Sequence, residues 1–176
     1  MSANMSAKLC SLAATAALSA GALLAVAPAA DATIAACGNA SLTVSATRTQ
    51  GATGHGSLVL LFRNRTTHTC SLYGYPGLDA QNASHVAIKH AKRTLYGFAG
   101  GSHVGIRTVN ILPGKYASAT VEWMNFNPVT SGPCTFSHYI ATTPANTTHT
   151  VTFARSVSVC VLQVHPTVPG TTGNAG

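Results

Sequence analysis

Acidic residues are scarce in this sequence: only three of its 176 residues are Asp or Glu, whereas ten are Lys or Arg. General acid–base catalysis requires a positioned carboxylate, or a histidine that is held by one. Asp31 lies close to an N-terminal apolar run, so a paired-carboxylate glycosidase site would need Asp79 and Glu122 to converge. Asp79 follows a Pro-Gly pair, and Glu122 is predicted to lie on the polar face of a strand. The scarcity of acids therefore predicts a protein that is not an enzyme.

Motifs for nucleophilic catalysis and for metal binding are also missing. The sequence has no Gly-x-Ser-x-Gly, the usual setting of a hydrolase serine nucleophile. It has eight histidines, but no two of them are two residues apart, the spacing that places a pair of zinc ligands on one face of a strand. We therefore expect no catalytic residue, no metal and no cofactor. A hydrolase with an unrecognised site remains the alternative.

The first 30 residues are typical of a secretory signal peptide. Lys8 supplies a positive charge, residues 9–27 are apolar and rich in Ala, Leu and Val, and two small-x-small sites follow. These sites predict cleavage after Ala29, Ala30 or Ala32. A transmembrane anchor is the less favoured alternative, because cleavable small residues follow the apolar run directly. We predict a secreted or cell-envelope protein that has no membrane span after signal removal.

A lipid anchor at Cys37 is a further alternative. Ile34-Ala35-Ala36-Cys37 looks like a lipobox, but Pro28 and Asp31 separate it from the apolar run, which a lipobox should adjoin. Lipidation of Cys37 would also leave one thiol unpaired in an oxidising compartment. Both observations favour the secreted form.

Cysteine parity predicts two disulfides. Of the five cysteines, Cys10 is removed with the signal peptide, which leaves Cys37, Cys70, Cys134 and Cys160. An even number of cysteines in an exported chain is typical of disulfide-bonded domains. Four cysteines allow three pairings, and parity does not choose among them.

After Cys37 the apolar residues recur with a period of two, which is the period of strands. In residues 116–123, for example, the apolar and polar side chains alternate, which predicts a half-buried antiparallel strand. About eight or nine short strands, with turn signals every eight to twelve residues, predict an all-β sandwich or barrel. We place a single domain at residues 37–166. A flexible C-terminal tail rich in Gly, Thr and Pro is predicted at 167–176.

Two Pro-Gly pairs predict turns. Tyr75-Pro76-Gly77-Leu78 fits a type II turn, since Pro presets φ at the first central position and Gly77 would take the left-handed second position. Leu112-Pro113-Gly114 predicts another turn, which leads into the strand that begins near Tyr116.

The first Pro-Gly pair ends a longer motif. Cys70-Ser71-Leu72-Tyr73-Gly74-Tyr75-Pro76-Gly77 resembles the Cys-x-Leu-x-Gly-Tyr-Pro-Gly signature of a family of secreted actinobacterial, mycobacterial-type domains, number four-two-three-two in the domain-of-unknown-function series. The resemblance covers Cys37 to Pro166. Further pieces match in order: Cys37 with Leu42-Thr43-Val44, Gly54-His55, Asn64, Leu112-Pro113-Gly114 with Ala117, Cys134 and Cys160.

The resemblance implies an immunoglobulin-like antiparallel β-sandwich outside the cytoplasm. It also favours the disulfides Cys37–Cys70 and Cys134–Cys160. No activity is implied, because none is established for the family. The motif residues are predicted to be structural: Gly74, Tyr75, Pro76, Gly77, Pro113 and Gly114.

The chain is basic, with a formal net charge of +7. Basic charge attracts anionic partners, so an anionic envelope component is the candidate partner, although its identity is unknown. The basic residues are scattered, and only Lys89, Lys92 and Arg93 lie close together, where a solvated loop is the alternative. Stripes of basic and aromatic residues, as single-stranded nucleic-acid sites require, are missing, so we expect no nucleic-acid partner.

Overall fold

The structure, a computed structural model, describes residues 33–98 and 105–174. These residues form an all-β sandwich, as predicted, and the predicted signal peptide with its cleavage sites lies outside them. None of their segments is a helix long and apolar enough to cross a bilayer. In chain order the strands are β1 (Leu42–Ala46), β2 (Gln50–Ala52), β3 (His55–Asn64), β4 (Cys70–Tyr73), β5 (Gly77–Gln81), β6 (Ala87–His90), β7 (Lys92–Arg93), β8 (Thr108–Ile111), β9 (Tyr116–Met124), β10 (Tyr139–Thr143), β11 (Val151–Phe153), β12 (Val161–Val164) and β13 (Val168–Pro169).

The larger sheet is organised around β9, which pairs with β3 on one side and with β12 on the other. β3 and β9 are antiparallel and in register from His55↔Met124 to Arg63↔Tyr116. β1 and β2 extend the sheet beyond β3, while β7 pairs with β12 in parallel. The pairing of two long strands makes β3–β9 the most extensive contact of the fold.

Two smaller sheets complete the sandwich. One contains four strands in the order β11-β10-β5-β6, and the other is the antiparallel pair β4–β8. Their buried side chains, such as Leu72, Leu78 and Ile140, join Leu60 and Trp123 of the larger sheet in one hydrophobic core. Burial of each such side chain contributes about 1.5–3 kcal/mol to folding, so this core is the main source of stability.

β9 is buried on both faces, which corrects the prediction of a half-buried strand. The side chains that were expected to face solvent, Ser118, Thr120 and Glu122, are as buried as their apolar neighbours. Two other segments of the chain cover these polar side chains, one at the C-terminus and one that precedes β9. Gly173 donates its N–H to Ser118 Oγ at 2.9 Å and accepts a bond from Thr120 Oγ1 at 3.0 Å, while residues 94–98 cover Glu122.

The C-terminal segment belongs to the domain, which corrects the prediction of a flexible tail from residue 167. Val168–Pro169 pairs with β9 through Val168↔Ser118 and Pro169↔Ala117. Thr167 and Val168 are buried, and the Thr167 N–H donates to Gly74 O at 2.9 Å. The Pro and Gly residues suggested fraying, but the pairing with a central strand orders this segment.

The two Pro-Gly pairs adopt different structures. At Leu112-Pro113-Gly114 the predicted turn is present: Gly114 has φ +74°, and the Lys115 N–H donates to Leu112 O at 3.0 Å. At the first pair the prediction of a left-handed Gly77 is wrong, since Gly77 begins β5 and pairs with Thr143. The left-handed residue there is Gly74, with φ +95°.

The described residues form 13 strands, more than the eight or nine predicted, because several strands are only two or three residues long. Residues 50–56 belong to the hairpin β2–β3, with Gly54 at φ +79°. Lys92 and Arg93 form the two-residue strand β7. Pieces of two or three residues carry too few alternating side chains to show a period in the sequence.

Candidate functional site

The four cysteines form two disulfides in the pairing that the resemblance implied. Cys37 is bonded to Cys70, and Cys134 to Cys160. The first disulfide ties the segment before β1 to β4, and the Cys37 N–H also donates to Ser71 O at 2.9 Å. A sulfur that is part of a disulfide cannot carry a lipid thioether. The Cys37–Cys70 bond is therefore incompatible with a lipid thioether at Cys37.

The residues of the Gly-Tyr-Pro-Gly motif make structural contacts. Gly74 O accepts the bond from Thr167 already described, and Gly77 O accepts one from Thr142 Oγ1 at 2.8 Å. Pro76 is buried, and Tyr75 is half-buried. Burial raises the pKa of Tyr75, and the positive charge of Arg93 acts in the opposite direction. The motif thus links β4, β5 and the C-terminal segment.

The most unusual polar feature is a buried pair formed by Glu122 and His165. Glu122 lies on β9 and His165 directly follows β12, on the outer face of the larger sheet. His165 Nε2 lies 2.5 Å from Glu122 Oε1, and both side chains are fully shielded from solvent. A buried carboxylate is costly unless it is paired and hydrogen-bonded, so this contact has to be maintained in the folded protein.

Residues 94–98 cover the pair at close range. The Phe98 N–H lies 3.2 Å from both Glu122 Oε1 and Oε2 and donates to the carboxylate. A Cβ atom on Gly97 would lie 1.7 Å from Glu122 Oε1 and 2.7 Å from His165 Cε1. Only glycine therefore allows the backbone to approach the pair this closely.

Several buried polar atoms around this pair have no hydrogen-bond partner. Among the described residues they include His165 Nδ1 and Gln163 Oε1 on the same face, and His55 Nδ1 nearby. The His55 ring lies against Phe98, with ring centroids 4.7 Å apart. Unsatisfied buried polar groups are uncommon in folded proteins and are points where a bound water, ion or ligand group can be accommodated.

The only other carboxylate among the described residues also contacts a histidine. His90 Nδ1 lies 2.5 Å from Asp79 Oδ1, but here the side chains are 81% and 38% exposed. Asp79 lies on β5 of the four-stranded sheet, whereas Glu122 lies on β9 of the larger one. Each carboxylate is engaged by its own histidine, and the two belong to different sheets.

The described residues line at least three concavities, of which two are candidate ligand sites. One, of about 390 Å³, is lined by residues of the β2–β3 hairpin together with Trp123, Asn125 and Phe136. The other, of about 260 Å³, is bordered by Lys89 and Lys92. Within residues 33–98 and 105–174, no three His, Cys, Asp or Glu side chains are placed so that they could share a metal ion.

Sequence reasoning missed the Glu122–His165 pair and the concavity at Lys89 and Lys92. Glu122 alternates with Val121 and Trp123, and such alternation normally means a solvated face. A useful signal was Gly97, which stands between Tyr96 and Phe98. A glycine between two aromatic residues is compatible with a backbone that packs closely on another element.

The fold and its cross-links define a disulfide-bonded, all-β sandwich domain with a basic surface. The chain matches the family model described as Domain of unknown function (DUF4232) over residues 37–171, and it belongs to that family. The search of curated proteins gave no match, and no solved structure matches the chain.

Proposed function

We propose that the chain is an exported, non-catalytic binding module whose partner is an anionic component of the cell envelope. The observation that carries this proposal is the imbalance of charge. Of the ten Lys and Arg residues only Lys8 precedes residue 33, which leaves nine in the described part, all on or near the surface. Against them stand two carboxylates, Asp79 and Glu122, each of which contacts a histidine.

Burial of Glu122 increases this imbalance. Its charge faces His165 and the Phe98 N–H and does not reach the surface. The surface therefore carries a clear excess of positive charge, and such a field attracts anionic polymers and membranes at a rate that depends on salt.

Export is supported by the cross-links. Disulfides persist in oxidising compartments and are rare in the cytosol of most cells. Two disulfides in a domain of this size therefore fit a protein that works outside the cytoplasm. The predicted signal peptide points to the same compartment.

A non-catalytic role is supported by the positions of the acids. Glu122 and His165 resemble an acid–base pair, but residues 97 and 98 lie directly on the carboxylate and leave a substrate no space beside it. A general base has to lie within hydrogen-bond reach of the proton that it abstracts. Asp79 is accessible, but it lies in a different sheet from Glu122, the other carboxylate of the described residues.

The test is a pull-down of the secreted protein with cell-envelope fractions. We expect binding to fractions that contain phosphorylated or carboxylated polymers at about 0.05 M salt, and its loss near 1 M salt, where charges are screened over about 3 Å. Envelope from which the anionic polymers have been removed should not bind. Binding that is independent of both salt and anionic polymer would contradict the proposal.

A further inference from the structure

The concavity at Lys89 and Lys92 lies where the chain passes from one sheet to the other. β6 ends at His90 in the four-stranded sheet, Ala91 donates its N–H to Leu78 O, and β7 begins at Lys92 in the larger sheet. Residues 160–163 also line the concavity. Lys89 from one sheet and Lys92 from the other therefore border the same opening.

Among the described residues, no carboxylate forms an ion pair with either of these lysines. Lys89 pairs with Ala80, a core residue, while the neighbouring His90 pairs with Asp79. Because successive residues of a strand point to opposite faces, Lys89 lies on the inner side of the hairpin and Asp79 on the outer side. The positive charge at the concavity is thus not neutralised by the only exposed carboxylate of the described residues.

The β12 residues beside the lysines offer hydrogen-bonding groups. β7 is two residues long and pairs only with Gln163 and Val164, so no described strand pairs with that edge of β12 at Val161 and Leu162. Gln163 also lines the concavity, and its side-chain Oε1 is buried without a partner. An acceptor in this position suits a hydroxyl donor from a ligand.

The size of the concavity limits the ligand. Its volume of about 260 Å³ lies just below the roughly 300–1,000 Å³ of ordinary small-molecule pockets. The uncovered edge of β12 spans only two residues before β7 begins, which is too short to add an extended peptide as a new strand. One small unit with an anionic group and a hydroxyl group fits these limits.

Building on the proposed function, we infer that this concavity binds a polyol phosphate unit, with the phosphate between Lys89 and Lys92 and a hydroxyl group donating to Gln163 Oε1. Lysine ammonium groups bind phosphate as point charges, and the hydroxyl would satisfy the buried acceptor. Polyol phosphates occur both in phosphorylated wall polymers and in the headgroups of anionic lipids.

The test is a titration of the full exported chain, followed by ¹H–¹⁵N NMR, with glycerol 3-phosphate, inorganic phosphate and glycerol. We expect glycerol 3-phosphate to shift the amide signals of residues 160–163 and the Gln163 side-chain amide. Inorganic phosphate should bind more weakly, and glycerol should cause no change. Shifts confined to other parts of the domain would overturn the inference.

Variants test separately the two lysines, which would bind the phosphate, and Gln163, which would bind the hydroxyl group. Lys89→Gln with Lys92→Gln should weaken glycerol 3-phosphate binding about tenfold, because each partly exposed ion pair contributes a factor of a few. Gln163→Leu, which is similar in size, should leave inorganic phosphate binding unchanged and remove the preference for glycerol 3-phosphate. Arg63→Gln with Lys115→Gln removes the same charge elsewhere and should keep wild-type affinity. Equal losses in both double variants would overturn a specific site.

Two further binding measurements identify the source of the ligand and test the inference separately from the proposed function. Soluble poly(glycerol phosphate) and vesicles that contain phosphatidylglycerol are compared, and the one whose binding needs Lys89 and Lys92 is the source. If the wild type binds neither, this inference fails, and the pull-down with envelope fractions decides the proposed function separately. If it binds either one and the lysine double variant binds equally well, only this inference fails.

Discussion

His165 and Glu122 are in contact at 2.5 Å with both side chains fully buried, whereas His90 and Asp79 are in contact at the same distance on the surface. The two pairs have the same chemistry and differ in their exposure to water. Removing one partner of a buried ion pair is strongly destabilising, because the other group is left buried without compensation. Exposed pairs contribute little, because water solvates both groups and screens their interaction.

We predict that His165→Leu lowers the free energy of unfolding by about 3–5 kcal/mol, and that His90→Leu lowers it by less than about 1 kcal/mol. Urea denaturation of the oxidised proteins measures both values. The double variant Glu122→Leu/His165→Leu should be more stable than His165→Leu alone. Equal effects of the two single variants would contradict a structural role for the buried pair.

Gly97 provides a second test of the same region. Gly97→Ala places a methyl group 1.7 Å from Glu122 Oε1, so the segment 94–98 has to move away from the sheet. Overpacking of this kind costs about 1–3 kcal/mol. We expect faster hydrogen exchange at the Phe98 amide together with the loss of stability. Gly105→Ala is the control, since an added Cβ atom there meets nothing within 4 Å, and it should be close to neutral.

The glycines of the Gly-Tyr-Pro-Gly motif should respond differently to substitution. Gly74 has φ +95°, a conformation that costs a residue with a Cβ atom about 1–2 kcal/mol. An added Cβ atom at Gly77 would instead make an ordinary 3.6 Å contact with Thr143 Cβ. We expect Gly74→Ala to lower the melting temperature clearly more than Gly77→Ala. The reverse order in thermal melts would mean that Gly77 is the strained position.

The disulfides should stabilise the domain strongly. The sequence separations of the bonded cysteines are 33 and 26 residues. Loss of a native disulfide from a small secreted domain costs about 2–5 kcal/mol, so the double variant Cys37→Ser/Cys70→Ser should unfold at markedly lower urea concentration. Thiol titration of residues 33–176 without reductant should find no free thiol. Two free thiols per molecule would indicate that a disulfide is open.

Tyr75 gives a prediction for alkaline pH. Burial raises its pKa above the ordinary value of 10.0, and Arg93 opposes that shift. Because the folded-state pKa is higher than the unfolded one, its contribution to stability is present below about pH 10 and is lost as the pH rises through the folded-state value. Arg93→Gln should raise the Tyr75 pKa further, as measured by the pH dependence of its ring ¹³Cζ signal. A lower value in that variant would contradict the assigned effect of Arg93.

Much of the core was predictable because alternation was strong where strands are long. The alternation in residues 116–123 predicted a strand, and Trp123 of that strand lies in the core. The turn at Leu112-Pro113-Gly114 was also predictable, because its glycine chemistry is local.

The remaining features depend on contacts between residues far apart in sequence. The alternation of β9 does not reveal that residues 94–98 and 167–173 cover its polar face. Proline at 76 does not determine which neighbouring glycine becomes left-handed, because the pairing of β5 with β10 fixes Gly77 in a strand. The concavity at Lys89 and Lys92 likewise depends on how two sheets meet, and no sequence window contains that information.

The C-terminal residues that cover β9 are synthesised after it, which affects folding during synthesis. A ribosome releases β9 well before residues 165–173, so every partial chain that ends between them leaves Ser118 and Thr120 without the C-terminal segment that covers them. Glu122 likewise lacks its histidine until residue 165 has emerged. Contacts between such distant segments form slowly, since a long loop has to close before they stabilise the chain. The nascent polypeptide should therefore stay open until its synthesis is nearly complete, which is the state that a translocation channel for unfolded chains accepts.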